Sequence, residues 1–317
     1  MSACAVVVTY NRRELLVSCL AALRAQSVAL DEIVVIDNAS TDGTRELLVA
    51  EPGIRHVRLE ENGGSSGGFS RGVLEARGCG ADWVWLMDDD AEPEPDCLEL
   101  MLASGGARDA AALAPAVVTP DGSVDLGHRG HFRGRPRALP STAYVPGTAP
   151  ELGYFTFVGV LIRATVARAA DPPRADFFIW ADDYEYSFRI REHGAIRLVP
   201  EARVVHHDVG QAFTSRRSRF WNRLTGWSYP PTPLEAFWRN LCGVRNSVWV
   251  KKRYEGQGPL GGWVTIGWFV VKTLLYDDRP LRRIPWIVRY GRAGRRDGEF
   301  RNIRPAEWVA MVRRGEV

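Results

Sequence analysis

The sequence predicts an α/β protein: a mainly parallel, doubly wound sheet over residues 1–208, then a mainly helical region over 209–317. Three observations predict it. Apolar runs of strand length alternate with segments of helical spacing. The connections between them are short, as in βαβ units. Beyond about residue 209 the alternation stops, and Pro230, Pro231 and Pro233 mark a linker into helical patterns.

The elements follow in order. "ACAVVVTY" is a continuous apolar run, suited to a strand buried on both faces. Asn11 reads as a helix N-cap with Glu14 in the capping-box position. Leu15, Leu16, Cys19, Leu20 and Leu23 then recur at helical spacing. "EIVVIDNASTDGT" is a second strand ending in Asp37, with a turn and a short helix through Leu47 and Leu48. "IRHVRLEEN" is a third strand, and "GGSSGGFSRGVLEARG" reads as a glycine-rich loop running into a helix. "ADWVWLMDDD" is the fourth strand. Residues 120–150, rich in Gly, Pro and Arg, show no period and read as one long loop. "YFTFVGVLIRA" is a further strand, with a short helix near Val166. "FFIWADDYEYSFRIREHG" is a helix entered through an Asp pair and ended by Gly194. "AIRLVPEARVVHHDVG" carries a strand ending in His206 and His207.

Composition agrees with a soluble globular chain: 317 residues, 45% hydrophobic and 25% charged. That length can bury a sizeable core. The formal charge of +3 averages an acidic middle and a basic end, so it selects no partner class. Cys4, Cys19, Cys79, Cys97 and Cys242 are scattered without a Cys-x-x-Cys pair, and read as reduced thiols of a cytosolic protein. Ala3–Val8 reads as a strand at once, so no signal peptide is expected.

In doubly wound sheets ligands gather at the carboxyl ends of the strands. Thr9, Tyr10, Asp37, Asn62 and Asp88–Asp90 all fall there. Three adjacent carboxylates repel one another. Either they form a solvated turn before the acidic helix start "AEPEP", or Asp88 and Asp90 hold a hard divalent cation such as Mg²⁺ or Mn²⁺ facing a diphosphate. The stretch "NGGSSGGF" suits backbone contact with phosphates or a flexible loop. It is neither a dinucleotide fingerprint after the first strand nor a P-loop. In "WADDYEYSFR" one carboxylate is an N-cap, while two, followed by Glu185, suit a general base. His206 and His207 read as structural histidines or as a ligand pair of which one binds metal.

With "VVVTYNRRELL", "VVIDNASTDGT", "MDDD" and "ADDYEYSFRIREHG" in this order, the chain resembles the family 2 glycosyltransferases of the GT-A fold. "ENGGSSGGFSRG" with "RNLCGVRNSVWV" is similar to bacterial galactofuranosyltransferases and rhamnosyltransferases that build cell-envelope polysaccharides. The resemblance implies that Thr9, Tyr10 and Asp37 contact the base and ribose of a nucleotide-sugar. Asn62–Phe69, including Gly63, Gly64 and Gly68, lines the donor site. Asp88, Asp89 and Asp90 meet the metal and diphosphate, with Asp88, Asp90 and His206 as metal ligands and His207 as the alternative histidine. Asp183 is the catalytic base of a single inverting displacement, and Mn²⁺ or Mg²⁺ is the cofactor. The implied donors are UDP-galactofuranose or dTDP-rhamnose, and the acceptor a saccharide, free or lipid-linked. Two other classes compete with this reading. A nucleotidyltransferase would carry glycine and arginine after the first strand, where "TYNRRE" stands. A non-catalytic sugar-nucleotide binding module would need neither Asp183 nor the histidine.

Near the end, "PLGGWVTIGWFVVKTLLYDDRP" is too short to span a bilayer and is interrupted by Lys272. Nine arginines from Arg279 to Arg304 surround Trp286, Ile287, Val288 and Tyr290. This predicts peripheral membrane association over 259–304, with domain packing or a homo-oligomer interface as the alternatives. No nucleic-acid module is recognisable.

Overall fold

Every residue of β1 (Ala3–Thr9) is buried, as a strand without polar alternation must be when both faces are covered. In this computed structural model, which describes residues 1–132, 135–207, 216–225, 229–256, 258 and 260–317, it is followed by α1 (Arg13–Arg24), β2 (Glu32–Asp37), α2 (Thr44–Ala50), β3 (Ile54–Arg58), α3 (Gly64–Ala76) and β4 (Trp83–Asp88). Then come β5 (Ala91–Pro93), α4 (Cys97–Ala103), β6 (Ala112–Val118), β7 (Arg129–Phe132), β8 (Pro136–Ala138), β9 (Glu151–Leu152), β10 (Tyr154–Phe155) and β11 (Val160–Arg163). α5 (Ala164–Ala169), α6 (Asp182–Arg191) and β12 (Ile196–His206) complete this part.

The sheet order is β3-β2-β1-β4-β11-β6-β12-β5, with β9 on β12. The first four strands are parallel. β11 runs antiparallel to β4 and β6, and β12 runs parallel to β6. Alternation along β1 sends Val6 and Val8 to the face covered by Phe69 and Val73 of α3. Ala5 and Val7 go to the face covered by Leu16 and Leu20 of α1. β10, β7 and β8 make a separate small sheet.

Four readings change. Asn11 is not the N-cap, because it adopts φ 53 and α1 starts after Arg12. Its side chain turns to the loop after β2 instead, where Oδ1 accepts the Thr41 N–H at 2.7 Å. The glycine-rich stretch is not a loop: α3 begins at Gly64. A Cβ at Gly68 would lie 2.3 Å from Val8 Cγ1, and one at Gly72 2.4 Å from Val6 Cγ1. These two glycines, one helical turn apart, let α3 lie directly on β1. The predicted single strand after residue 150 is broken into β10 and β11, with Gly159 at φ +76 between them. The long loop over 120–150 carries β7 and β8 and a fully buried Arg129.

The chain divides into two compact units, Met1–Ala175 with Asp182–Asp208, and Asp176–Ala181 with Val209–Val317. The second is helical: α7 (Arg216–Thr225), α8 (Trp238–Tyr254), α9 (Gly261–Tyr276), α10 (Pro280–Ala293) and α11 (Pro305–Arg313). Leu241, Val244, Val248, Ile266, Ile287 and Trp308 form its core. No helix among the described residues is long and apolar enough to cross a membrane.

Candidate active site

The carboxyl end of β4 delivers the aspartate triplet. Asp89 and Asp90 are buried. Thr9, at the end of β1, is buried too and donates its hydroxyl to Asp89 Oδ2 at 2.7 Å. Arg12 pairs with both Asp89 and Asp90. β12 runs antiparallel to β5 with His206 opposite Ala91, which sets His206 Nε2 3.3 Å from Asp90 Oδ1. That oxygen has no hydrogen-bond partner of good geometry. His207 serves another carboxylate: its Nε2 lies 3.1 Å from Glu92 Oε2.

Electrostatics follow from this crowding. Burial, together with Asp90 and Asp89, pushes the Asp88 carboxyl well above its ordinary range, and Asp182 adds to the push. Burial lifts Asp89 to about 6, against the Thr9 hydroxyl and Arg12. Burial opposes ionisation of Asp90 as well, yet His206 and Arg12 hold it below the usual range. A buried oxygen without a partner, between an imidazole and mutually repelling carboxylates, fits a divalent cation with oxygen and nitrogen ligands.

The Asp pair opens α6. Burial raises Asp182 to about 6, against the hydroxyls of Ser66 and Ser65 at the start of α3. Burial and the neighbouring Asp182 raise Asp183 well above the ordinary carboxylate value. Asp183 Oδ1 accepts the Tyr184 N–H at 2.7 Å, and the Tyr184 ring meets Tyr154 edge-on with centroids 4.8 Å apart. Glu185 is buried against Arg189 in an ion pair, so it belongs to the helix and not to the acid pair.

The remaining expected residues are spread along the same strand ends. Asp37 is fully buried, pairs with Arg58 and accepts the Ser40 N–H at 2.8 Å. Tyr10 is exposed. Asn62 Oδ1 accepts the Gly64 N–H at 2.7 Å, and Asn38 Nδ2 donates to Gly64 O at 3.1 Å. Gly63 lies against Gly67 and Asn38, and Gly68 against Val8.

Sequence reasoning missed Arg12 and a group from the long loop. His128 Nδ1 lies 2.7 Å from Thr156 Oγ1, its Nε2 3.2 Å from Asp125 Oδ2, and its ring stands edge-on to His206 at 4.9 Å. Burial, with Arg129 beside it, lowers His128 to about 4. Asp125, His128 and His206 also offer ligand atoms within 4.8 Å of one another. Arg129 donates to the carbonyls of Pro115, His128 and Val158 at 3.0, 3.0 and 2.6 Å. No periodicity marks such residues. Only the chemistry of "RRE" beside an acidic cluster could have pointed to Arg12.

The mostly parallel mixed sheet with helices on its faces has the GT-A fold. The chain belongs to glycosyl transferase family 2, whose sequence profile matches residues 4–169. It is 32% identical over 308 residues to a galactofuranosyltransferase of Mycolicibacterium smegmatis, covering 93% of this chain and 96% of the relative. It is 28% identical over 231 residues to the N-acetylglucosaminyl-diphospho-decaprenol L-rhamnosyltransferase of Mycobacterium tuberculosis, covering 64% of this chain and 75% of the relative. Among solved structures, S. aureus TarS 1–349 in complex with UDP superposes with TM-score 0.52 at 16% identity, over 99% of this chain and 92% of that one. GalNAc-T7 with UDP, GalNAc and Mn²⁺ gives 0.56 at 16% identity, over 80% and 48%. At such identities these two share the fold.

Proposed function

We propose that this glycosyltransferase is an inverting, divalent-metal-dependent enzyme that moves galactofuranose from UDP-galactofuranose to a cell-envelope glycan or lipid-linked saccharide. dTDP-rhamnose is the second donor to test, since a rhamnosyltransferase is among the relatives. The galactofuranosyltransferase likeness over 93% of the chain supports the first donor. The observation that carries the metal is the buried Asp90 Oδ1, which lacks a well-formed hydrogen bond and has His206 Nε2 only 3.3 Å away.

Asp88, Asp90 and His206 would hold Mn²⁺ or Mg²⁺. When bound, that cation supplies charge neutralisation to the departing nucleoside diphosphate. Thr9 and Arg12 hold Asp89 and Asp90 in place. Asp183 takes the proton of the acceptor hydroxyl as it attacks. Its raised affinity for protons makes it a stronger base than an exposed aspartate, and the Tyr184 N–H orients its carboxylate. We also propose that α9 and α10 touch the cytoplasmic membrane surface. Leu260, Trp263, Val264 and Leu281 are exposed there, and Arg292 and Arg295 stand over the Trp263 ring.

A donor panel tests the reading. Nucleoside diphosphate release from UDP-galactofuranose, with a saccharide acceptor, is expected with Mn²⁺ or Mg²⁺ and to vanish in EDTA. Equal release in EDTA overturns the metal assignment. Release from dTDP-rhamnose alone moves the donor.

A further inference from the structure

We propose that Asn246 is a positioning residue for Asp183: from α8 it clamps the strained segment that leads into the acid pair. The inference rests on Asp183 being the base.

The segment Asp176–Ala181 belongs to the helical unit, and its last residue is joined directly to Asp182. Phe178, Trp180 and Ala181 have φ of 65, 67 and 66. Left-handed backbone is unfavourable for residues with a Cβ. Three in four residues persist only where the surroundings over-determine them. The surroundings here are one face of α8. Asn246 is fully buried. Its Nδ2 donates to the carbonyls of Phe177, Ile179 and Trp180 at 3.0, 3.0 and 2.8 Å. An amide nitrogen has two hydrogens, so three acceptors use it to the full. Arg245 Nε donates to Asn246 Oδ1 at 2.9 Å, which fixes the amide with its nitrogen toward the segment. Arg245 Nη2 adds bonds to Asp176 O and Phe177 O at 3.1 and 3.0 Å.

Gly243 stands three residues before Asn246, on the same face. A Cβ there would lie 2.4 Å from Trp180 Cε3, so the missing side chain makes room for the Trp180 ring. The "GVRN" of α8 thus takes both the ring and the carbonyls of the segment that precedes α6. An ordinary helix entry uses an extended residue with a capping side chain. Here the backbone reaches Asp182 from a left-handed pair, Trp180 and Ala181, and the carbonyl clamp fixes the conformation of the segment to which Asp182 is joined. A purely structural amide would stabilise the helical unit and have no link to Asp183.

The test uses the full chain and Asn246→Asp. This change is nearly isosteric, keeps an acceptor for Arg245 and removes both N–H donors. We expect kcat with UDP-galactofuranose to fall about 10²-fold, as small misplacements of a reacting group do, with KM and UDP affinity nearly unchanged. The double variant with Asp183→Asn should be no slower than Asp183→Asn alone, because the clamp acts through that carboxylate. Losses that multiply in the double variant overturn the proposal. Wild-type kcat in Asn246→Asp beside an inactive Asp183→Asn overturns it and leaves the base reading intact. Full turnover in Asp183→Asn alone overturns the base reading and the clamp together. If Asn246→Asp does not fold, Gly243→Ala decides. Alanine is the better helix former, so α8 stays intact while its methyl displaces the Trp180 ring. A kcat loss of about tenfold supports the clamp, and wild-type kcat overturns it.

Discussion

Asp90 immediately precedes β5, which pairs with β12 and sets His206 opposite Ala91, and His207, one residue on, serves Glu92. Alternation along an extended strand separates adjacent side chains, so the two histidines should differ in function. Asp90→Ala and His206→Ala should each weaken Mn²⁺ binding, followed by calorimetry, by more than about tenfold. His207→Ala should leave it nearly unchanged. The reverse order of the two histidines would reassign the ligand. At this scale the sequence singles out candidates wherever a residue type announces its chemistry, as at Asp88–Asp90, the Asp182–Asp183 pair and the terminal histidines. Arg129 is not among them. A fully buried guanidinium satisfied by carbonyls looks in sequence like any arginine of a polar loop.

Among the elements, the start of α3 was misread as loop rather than helix. Glycine is used both for turns and for close approach, and a single sequence does not separate the two uses. The contacts of Gly68 and Gly72 with Val8 and Val6 show the second use. Gly72→Ala should therefore destabilise the protein, although alanine is the better helix former by about 1 kcal/mol. Overpacking costs about 1–3 kcal/mol, so a net loss of up to about 2 kcal/mol is expected in denaturant unfolding. Val6→Ala should restore part of it in the double variant. A more stable Gly72→Ala would show that α3 does not seat on β1 as described. β1, β2 and β4 were read correctly because strands buried on both faces are continuously apolar. The break between β10 and β11 was hidden by the same rule, since "YFTFVGVLIRA" is apolar throughout.

Over the whole molecule, the change from alternating to helical pattern near residue 209 was visible, but the membership of Asp176–Ala181 in the helical unit was not. Its "FFIW" reads as the entry to a helix, and only the carbonyl bonds from α8 reveal its other allegiance. The helical unit also carries the surface question. Its exposed Leu260, Val264 and Leu281 accompany a run of arginines. Each cation near an anionic leaflet contributes about 1 kcal/mol, screened by salt. The full chain should sediment with anionic liposomes at low salt and be released at high salt. A protein that stays in the supernatant at low salt leaves α9 and α10 as packing or oligomer surfaces.

The proposed base of sugar transfer, Asp183 at the start of α6, is tested most sharply by the Asp183→Asn variant. Two quantities are measured: UDP affinity by calorimetry, and turnover of UDP-galactofuranose with Mn²⁺ across pH. As the proposed base, Asp183 would work ionised, and burial and Asp182 raise its proton affinity. Activity should therefore fall as pH is lowered through a value above the ordinary aspartate pKa of about 3.9. In Asp183→Asn, UDP affinity should be unchanged, turnover should drop about 10²–10⁴-fold, and the acid limb should disappear. UDP binding lost in proportion to turnover, or an Asp183→Asn protein that turns over normally with the same acid limb, would contradict the account.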